Sequence, residues 1–154
     1  MKKHMMLLIN PVAGRGLVKT NFGEALEVFY SGGYIPTVYF TEYAGHAREL
    51  ARDFGGDYDL LVCRGGDGTL SDVMSGLAEL PEHPPIGYIP IGTANDVATT
   101  LGLSHNLLRA ARDIVNGRAI PYDLGLMSSG ETFSYVAAFG AFTDVSYQTS
   151  QQVK

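Results

Sequence analysis

Leu60-Leu61-Val62-Cys63-Arg64-Gly65-Gly66-Asp67-Gly68-Thr69-Leu70 is an apolar run that breaks into glycines around one carboxylate. Residues 60–63 suit a strand buried on both faces, whereas Leu70, Val73, Met74, Leu77 and Leu80 recur at the spacing of one helix face. A strand therefore turns into a helix through glycine. Without side chains, those glycines let backbone N–H groups close on an anion at the helix N-terminus, where aligned peptide dipoles favour negative charge. Packing is the plainer alternative, since a tight strand-to-helix turn needs glycine in any case. Asp67 is the anomaly: a carboxylate among phosphate donors repels the phosphate unless it holds a metal ion or orders the loop by accepting from its N–H groups.

The same strand, loop and helix pattern recurs on either side. Upstream, an apolar run at 5–9 leads into Asn10-Pro11-Val12-Ala13-Gly14-Arg15-Gly16, after which Phe22, Ala25, Leu26 and Phe29 keep helical spacing. Gly32-Gly33 stops that helix, and 34–40 is rich in β-branched and aromatic residues, as a strand should be. A loop at 41–46 precedes a second helix marked by Ala47, Leu50, Ala51 and Phe54, and Gly55-Gly56 ends it before a strand at 58–63. Downstream, the proline-rich turn 81–85 gives way to a strand at 86–89, the loop 90–96, a helical segment at 96–101, and a stripe of Leu107, Leu108, Ala111, Ile114 and Val115 closed by Gly117. Two further strands are expected at 119–127 and 132–139. Four strand, loop and helix units in succession predict a three-layer α/β/α sandwich on a mostly parallel, Rossmann-like sheet, because parallel neighbours require crossovers of this length. The loops 10–16, 41–46, 64–69 and 90–96 all follow strands, so they should gather at the carboxyl edge where such folds bind ligands.

Composition narrows the function. With 154 residues the chain has room for one domain with a substantial core, and a net charge of -5 argues against nucleic acid as a partner. Arg15, Lys19 and Arg64 fall beside the glycine-rich loops, concentrating scarce positive charge where phosphates would sit. The single cysteine, Cys63, excludes an internal disulfide and fits a reducing compartment. The apolar run at 5–9 is too short for a signal sequence, and no stretch reaches transmembrane length. A cytoplasmic protein is expected, with transient peripheral contact at the inner membrane face left open.

Familiar nucleotide loops do not account for the glycines. Gly14-Arg15-Gly16 begins a dinucleotide fingerprint but has Lys19 where the third glycine belongs, and it lacks the spacing of a P-loop. His4, His83 and His105 show no metal-ligand spacing, and His46 reads as a residue that caps or orients the 41–46 loop.

Taken together, Gly65-Gly66-Asp67-Gly68-Thr69, Asn10-Pro11-Val12-Ala13-Gly14 and Pro90-Ile91-Gly92-Thr93-Ala94-Asn95-Asp96 resemble the diacylglycerol kinase catalytic domain family, which includes bacterial lipid kinases and the sphingosine and ceramide kinases. Thr41-Glu42-Tyr43-Ala44-Gly45-His46-Ala47 agrees as well. The Gly-Gly-Asp-Gly-Thr element alone is shared with NAD kinases and phosphofructokinases, whose fold the resemblance implies. It further implies ATP with Mg2+ as phosphoryl donor and the hydroxyl of diacylglycerol or a related lipid as acceptor. Carried over by motif position, Asn10, Pro11, Val12, Ala13, Gly14, Thr41, Gly65, Gly66, Asp67, Gly68, Thr69, Leu70, Ser71, Asp72, Gly92, Thr93 and Asn95 would line the nucleotide. Asp67, Asp96 and Asp123 could hold metal or ordered water around the phosphates; alternatively Asp96 caps its helix and Asp123 lies at an exposed strand edge.

Three positions depart from the family pattern. Arg64 stands where a small or apolar residue is usual, open to pairing with Asp67, Asp72 or a phosphate, and Leu70-Ser71-Asp72 replaces Leu-Asn-Glu. Members of the family are roughly twice this length as two-domain proteins. The resemblance therefore divides the chain into a nucleotide-binding domain at 1–122 and the beginning of an incomplete β-rich domain at 123–154, with the general base expected in the remainder of that second domain. The chain is expected to bind nucleotide without turning it over alone, and to self-associate through the exposed strands after 119. The competing expectations are an NAD or sugar-phosphate kinase of the same superfamily, and a non-catalytic nucleotide-sensing module.

Overall fold

Met5, Met6, Leu7, Leu8 and Ile9 present apolar side chains to both sides of a strand, so the sheet that contains them must be covered on both faces. The computed structural model, which describes residues 1–16, 21–126 and 132–133, shows that arrangement. Strand β1 (Lys3–Ile9) lies between β2 (Tyr34–Phe40) and β3 (Leu60–Gly65), and β4 (Ile86–Pro90) follows β3, giving the order β2-β1-β3-β4. Every pairing in this sheet is parallel.

Parallel strands require crossovers, and helices supply them. Strand alternation sorts their cores. Met6, Leu8, Leu61, Cys63 and Tyr88 face α2 (His46–Phe54), α3 (Asp67–Leu77) and α4 (Asp96–Leu101), which contribute Leu50, Leu70, Val73, Leu77 and Val97. Met5, Leu7, Ile9, Leu60, Val62 and Ile89 face α1 (Phe22–Ser31) and α5 (Leu107–Asn116), which contribute Ala25, Phe29, Ala110 and Ala111. Cys63 is fully buried, and burial pushes its thiol pKa up, so it behaves as a small core residue. Among the described residues no helix is long and apolar enough to cross a membrane.

Two boundaries differ from the sequence reading. The third strand starts at Leu60 rather than 58, because a 3-10 turn over Gly55–Asp57 prolongs α2, with the Tyr58 N–H donating to Gly55 O. It then runs on through Arg64 and Gly65, which pair with Ile89 and Pro90. The expected strand at 119–127 shrinks to β5 (Gly125–Leu126), which pairs antiparallel with β6 (Thr132–Phe133) as a separate small sheet. Residues 119–124 are irregular; Pro121, without an N–H, has nothing to donate to a ladder. Of the strands expected at 119–127 and 132–139, residues 127 and 134–139 lie outside the described residues, as do the polar tail at 141–154 and Lys19.

The α2 and α3 helices meet at Gly76, where an added Cβ would lie 2.3 Å from Arg48 O. No side chain fits that contact. Gly76→Ala is expected to cost about 1–3 kcal/mol through displacement of α2, read as a lower urea midpoint. An unchanged midpoint would contradict the close packing of these helices.

Candidate functional site

Because the four long strands are parallel, the loops after them share one edge, and glycine lets those loops touch. A Cβ on Gly92 would lie 2.7 Å from Gly66 Cα, and one on Gly14, whose φ is +65°, would lie 2.3 Å from Ile91 O. Side chains at Gly14 and Gly92 are thus excluded by packing. Gly68 is different. It is exposed in the first turn of α3, and a Cβ there would meet nothing within 4 Å. The fold does not require glycine at 68, whereas a ligand approaching the helix N-terminus would. That terminus is open among the described residues: Gly66, the residue before α3, provides no side-chain cap.

Hydrogen bonds lock the loops around this opening. The Asn10 amide donates from Nδ2 to Thr69 Oγ1 at 2.9 Å, and its Oδ1 accepts the Val12 N–H at 3.1 Å, so one side chain ties the first loop to the α3 turn. Backbone bonds from Asn10 N–H to Arg64 O, from Thr41 N–H to Ile9 O and from Ile91 N–H to Gly65 O continue the sheet pattern into the loops. Asn95, 4% exposed and left-handed at φ 52°, donates from Nδ2 to Gly92 O at 2.6 Å. A left-handed backbone suits asparagine better than most residues.

Asp67 now has a role. Its Oδ2 accepts the Asp96 N–H at 2.9 Å and its Oδ1 accepts the Val97 N–H at 3.3 Å. The carboxylate of the α3 turn therefore caps α4, where the dipole also favours it. The carboxylate orders backbone N–H groups, as one reading of Asp67 had it, but those of the turn after β4 rather than of its own loop. Asp96 does not cap its own helix, as one sequence reading had it: it is the first helical residue, and Asn95 precedes it.

Asp72 is half-buried on α3. Burial pushes its carboxyl pKa up, offset in part by the Arg48 guanidinium and by an N–H bond from Gly45. It ties α3 to the loop that enters α2. In that loop His46 Nδ1 accepts the Glu42 N–H at 3.1 Å, the orienting role expected of it, and its ring stacks on Tyr43 with centroids 4.4 Å apart. Arg48 and Gly45 were not singled out in the sequence; their relation to Asp72 spans two elements and leaves no local signal.

The remaining expected residues divide. Pro11, Val12 and Ala13 lie in the loop after β1, with Val12 72% exposed, and Thr93 is exposed in the loop after β4. Leu70 is 2% exposed, so its side chain belongs to the core, and Thr41 is buried. Ser71 accepts at its carbonyl from Ser75 Oγ. Asp123 is exposed on the irregular stretch, and among the described residues no three His, Cys, Asp or Glu side chains come together as a metal cluster. Arg64, 3% exposed, lies between Ile9 and Ile89 on the face covered by α1 and α5, away from Asp72 on α3. Burial lowers its pKa.

The diacylglycerol kinase catalytic domain matches residues 4–127. The chain belongs to that family. It is 39% identical to a diacylglycerol kinase of Staphylococcus carnosus over all of its own length and 50% of that protein's, and 35% identical to one from Bacillus subtilis over 99% of itself and 50% of the relative. A solved structure of a diacylglycerol kinase from Bacillus anthracis superposes with a TM-score of 0.76 at 31% identity, covering 85% of this chain and 45% of that one. The chain thus spans about half the length of the curated relatives it matches.

Two outcomes follow from the carboxylates. Asp67→Ala should cost about 0.5–2 kcal/mol by uncapping α4 and speed hydrogen exchange at the Asp96 and Val97 amides; unchanged exchange would refute the cap. Folded Asp72 keeps its proton to higher pH than the unfolded chain does. Stability present below the unfolded carboxyl range is therefore lost as pH rises through the raised folded value. Asp72→Asn should flatten that slope in urea midpoints measured across the acid range, and an equally steep slope in the variant would exclude Asp72 as its source.

Proposed function

We propose that this chain binds ATP with Mg2+ at the α3 turn and forms the phosphoryl-donor side of a lipid kinase. The observation that carries the reading is Gly68: exposed, free of packing constraint, and set at a helix N-terminus that no side chain caps. A phosphate seated there would accept N–H groups from the first turn of α3. Asn10 and Thr69 would hold the facing loops, with Thr93 and the backbone of 10–14 lining the sides. Asn95 and Gly92 support the wall from behind, and Gly65 gives the strand end its tight approach to Thr69.

For the metal, the donor set suits an ion carried by the nucleotide rather than a protein cage. Mg2+ typically keeps several waters and takes one or two carboxylates alongside phosphate oxygens, and it would neutralise charge on the transferred group. The Asp67 oxygens already accept two N–H bonds, so with exposed Asp96 it would act through ordered water; Asp123 would join only through water as well.

Phosphoryl transfer depends on in-line positioning and charge stabilisation more than on covalent chemistry. The residues here position the donor. Diacylglycerol or a related lipid as acceptor rests on family membership, and the base that activates its hydroxyl is assigned to none of the site residues described. We accordingly propose that the chain alone binds nucleotide and transfers its phosphoryl group slowly or not at all.

Gly68→Glu separates fold from function. Glutamate in the first turn complements the helix dipole and replaces a glycine, so stability should rise by about 0.3–1 kcal/mol. The same carboxylate should repel the phosphates and weaken Mg-ATP binding at least about tenfold. Calorimetric titration of both proteins checks this; equal affinity, or no binding by the folded parent at millimolar nucleotide, would remove the site from the α3 turn.

A further inference from the structure

The loop at 41–46 is tied to the candidate site at both ends. At its start the Thr41 N–H donates to Ile9 O, one residue before Asn10, and near its end Gly45 donates its N–H to the Asp72 carboxylate on α3. Between these ties the Glu42 N–H donates to His46 Nδ1 at 3.1 Å. A backbone N–H can only donate, so Nδ1 carries a lone pair and the ring proton lies on Nε2. A second proton on the ring turns Nδ1 into a donor facing a donor, and the bond is lost. His46 is also the first residue of α2, where the helix dipole opposes a positive charge.

The protonated ring has somewhere to rest. It stacks on Tyr43 with centroids 4.4 Å apart and planes 8° from parallel, and Tyr43 Oη donates to Glu49 Oε2 at 2.6 Å, which fixes the platform. An aromatic face attracts a cation, so this contact survives while Glu42 is released. The charged groups around the pair are Glu42 on the loop and Glu49 and Asp53 on α2. Arg48 and Arg52 on the same helix are paired with Glu79 and Asp53, and from α3 Asp72 reaches the loop through Gly45. Carboxyl groups ordinarily titrate about two units below imidazole. Asp72 is the exception, raised by burial, but a protonated carboxyl still offers its carbonyl oxygen to the Gly45 N–H. The imidazole is the acceptor that a proton disables.

We propose that His46 is a proton-operated latch, which unprotonated holds the 41–46 loop closed beside the site and protonated frees it, so that Mg-ATP binding weakens as pH falls from about 8 to about 5. The effect on binding rests on the nucleotide site proposed for the α3 turn. A loop that must close before it meets the ligand lowers the apparent affinity by the fraction of closed molecules.

Two variants fix the latch in its two positions. His46→Asn keeps an oxygen acceptor near the place of Nδ1 and has no proton to gain, whereas His46→Phe keeps the stack and has no acceptor. The Glu42 amide is followed by NMR, without nucleotide, between about pH 5.5 and 8. In the parent its proton shift should move from the value in His46→Asn towards that in His46→Phe as pH falls, and it should stay constant in both variants. An amide that ignores pH in the parent, or that moves as far in His46→Asn, overturns the latch. Calorimetric titration with Mg-ATP in excess magnesium reads the consequence. Affinity should fall at least about threefold at the acid end in the parent, and by less in His46→Asn. No fall in the parent, or an equal fall in both proteins, removes control of the site from His46. No Mg-ATP binding by the parent at either pH defeats the donor site, and that control with it, while the amide still decides the latch.

Discussion

The edge that carries the site depends on one side chain, the Asp67 carboxylate, which leaves its own helix to accept the Asp96 and Val97 amides at the start of α4. Strands β3 and β4 are adjacent and the Ile91 N–H to Gly65 O bond carries their pairing one step into the loops, but beyond it the two turns separate. Asp67 joins them, and the Gly66 to Gly92 backbone contact closes the remaining gap. A longer side chain at 67 would overshoot the amides. A side chain at 92 would force the two turns apart and widen the mouth of the cradle. Asn10 does the corresponding work on the other side through Thr69.

Much of this edge was legible in the sequence because its signals are local. An unbroken apolar run such as 60–63 demands burial on both faces, and the stripe from Leu70 to Leu77 demands a helix directly after the glycines. Repetition of that unit fixes the parallel sheet, and parallel strands put every following loop on one side. The roles of individual carboxylates were less legible. Asp67 was recognised as anomalous, but its partners lie 29 and 30 residues away, across a strand and a loop, where no spacing rule reaches. Asp96 looked like a cap because it starts a helix, yet the cap arrives from elsewhere. Leu70 sat within a binding motif by position, while helical geometry turned its side chain into the core. The stretch at 119–124 had strand-like composition, but composition cannot supply a pairing edge, and Pro121 removes a donor.

For an acidic chain, the proposed binding of a polyanion requires positive potential without many cations, and the topology supplies a source of it. Each crossover helix begins at the carboxyl edge, so the positive ends of several peptide dipoles converge there. Convergence alone would make the edge indiscriminate. Side chains decide which ends stay open: Asp67 covers α4, Asn106 caps α5 by accepting the Arg109 N–H, and the residues that precede α1, α2 and α3 provide no side-chain cap. The carboxylate that first looked hostile to phosphate is thus engaged at the start of a neighbouring helix. By occupying one helix terminus it leaves the N-terminus of α3, at Gly68, open beside it on the same face of the sheet. The distribution of caps, more than the number of basic residues, sets where negative charge can bind in this fold.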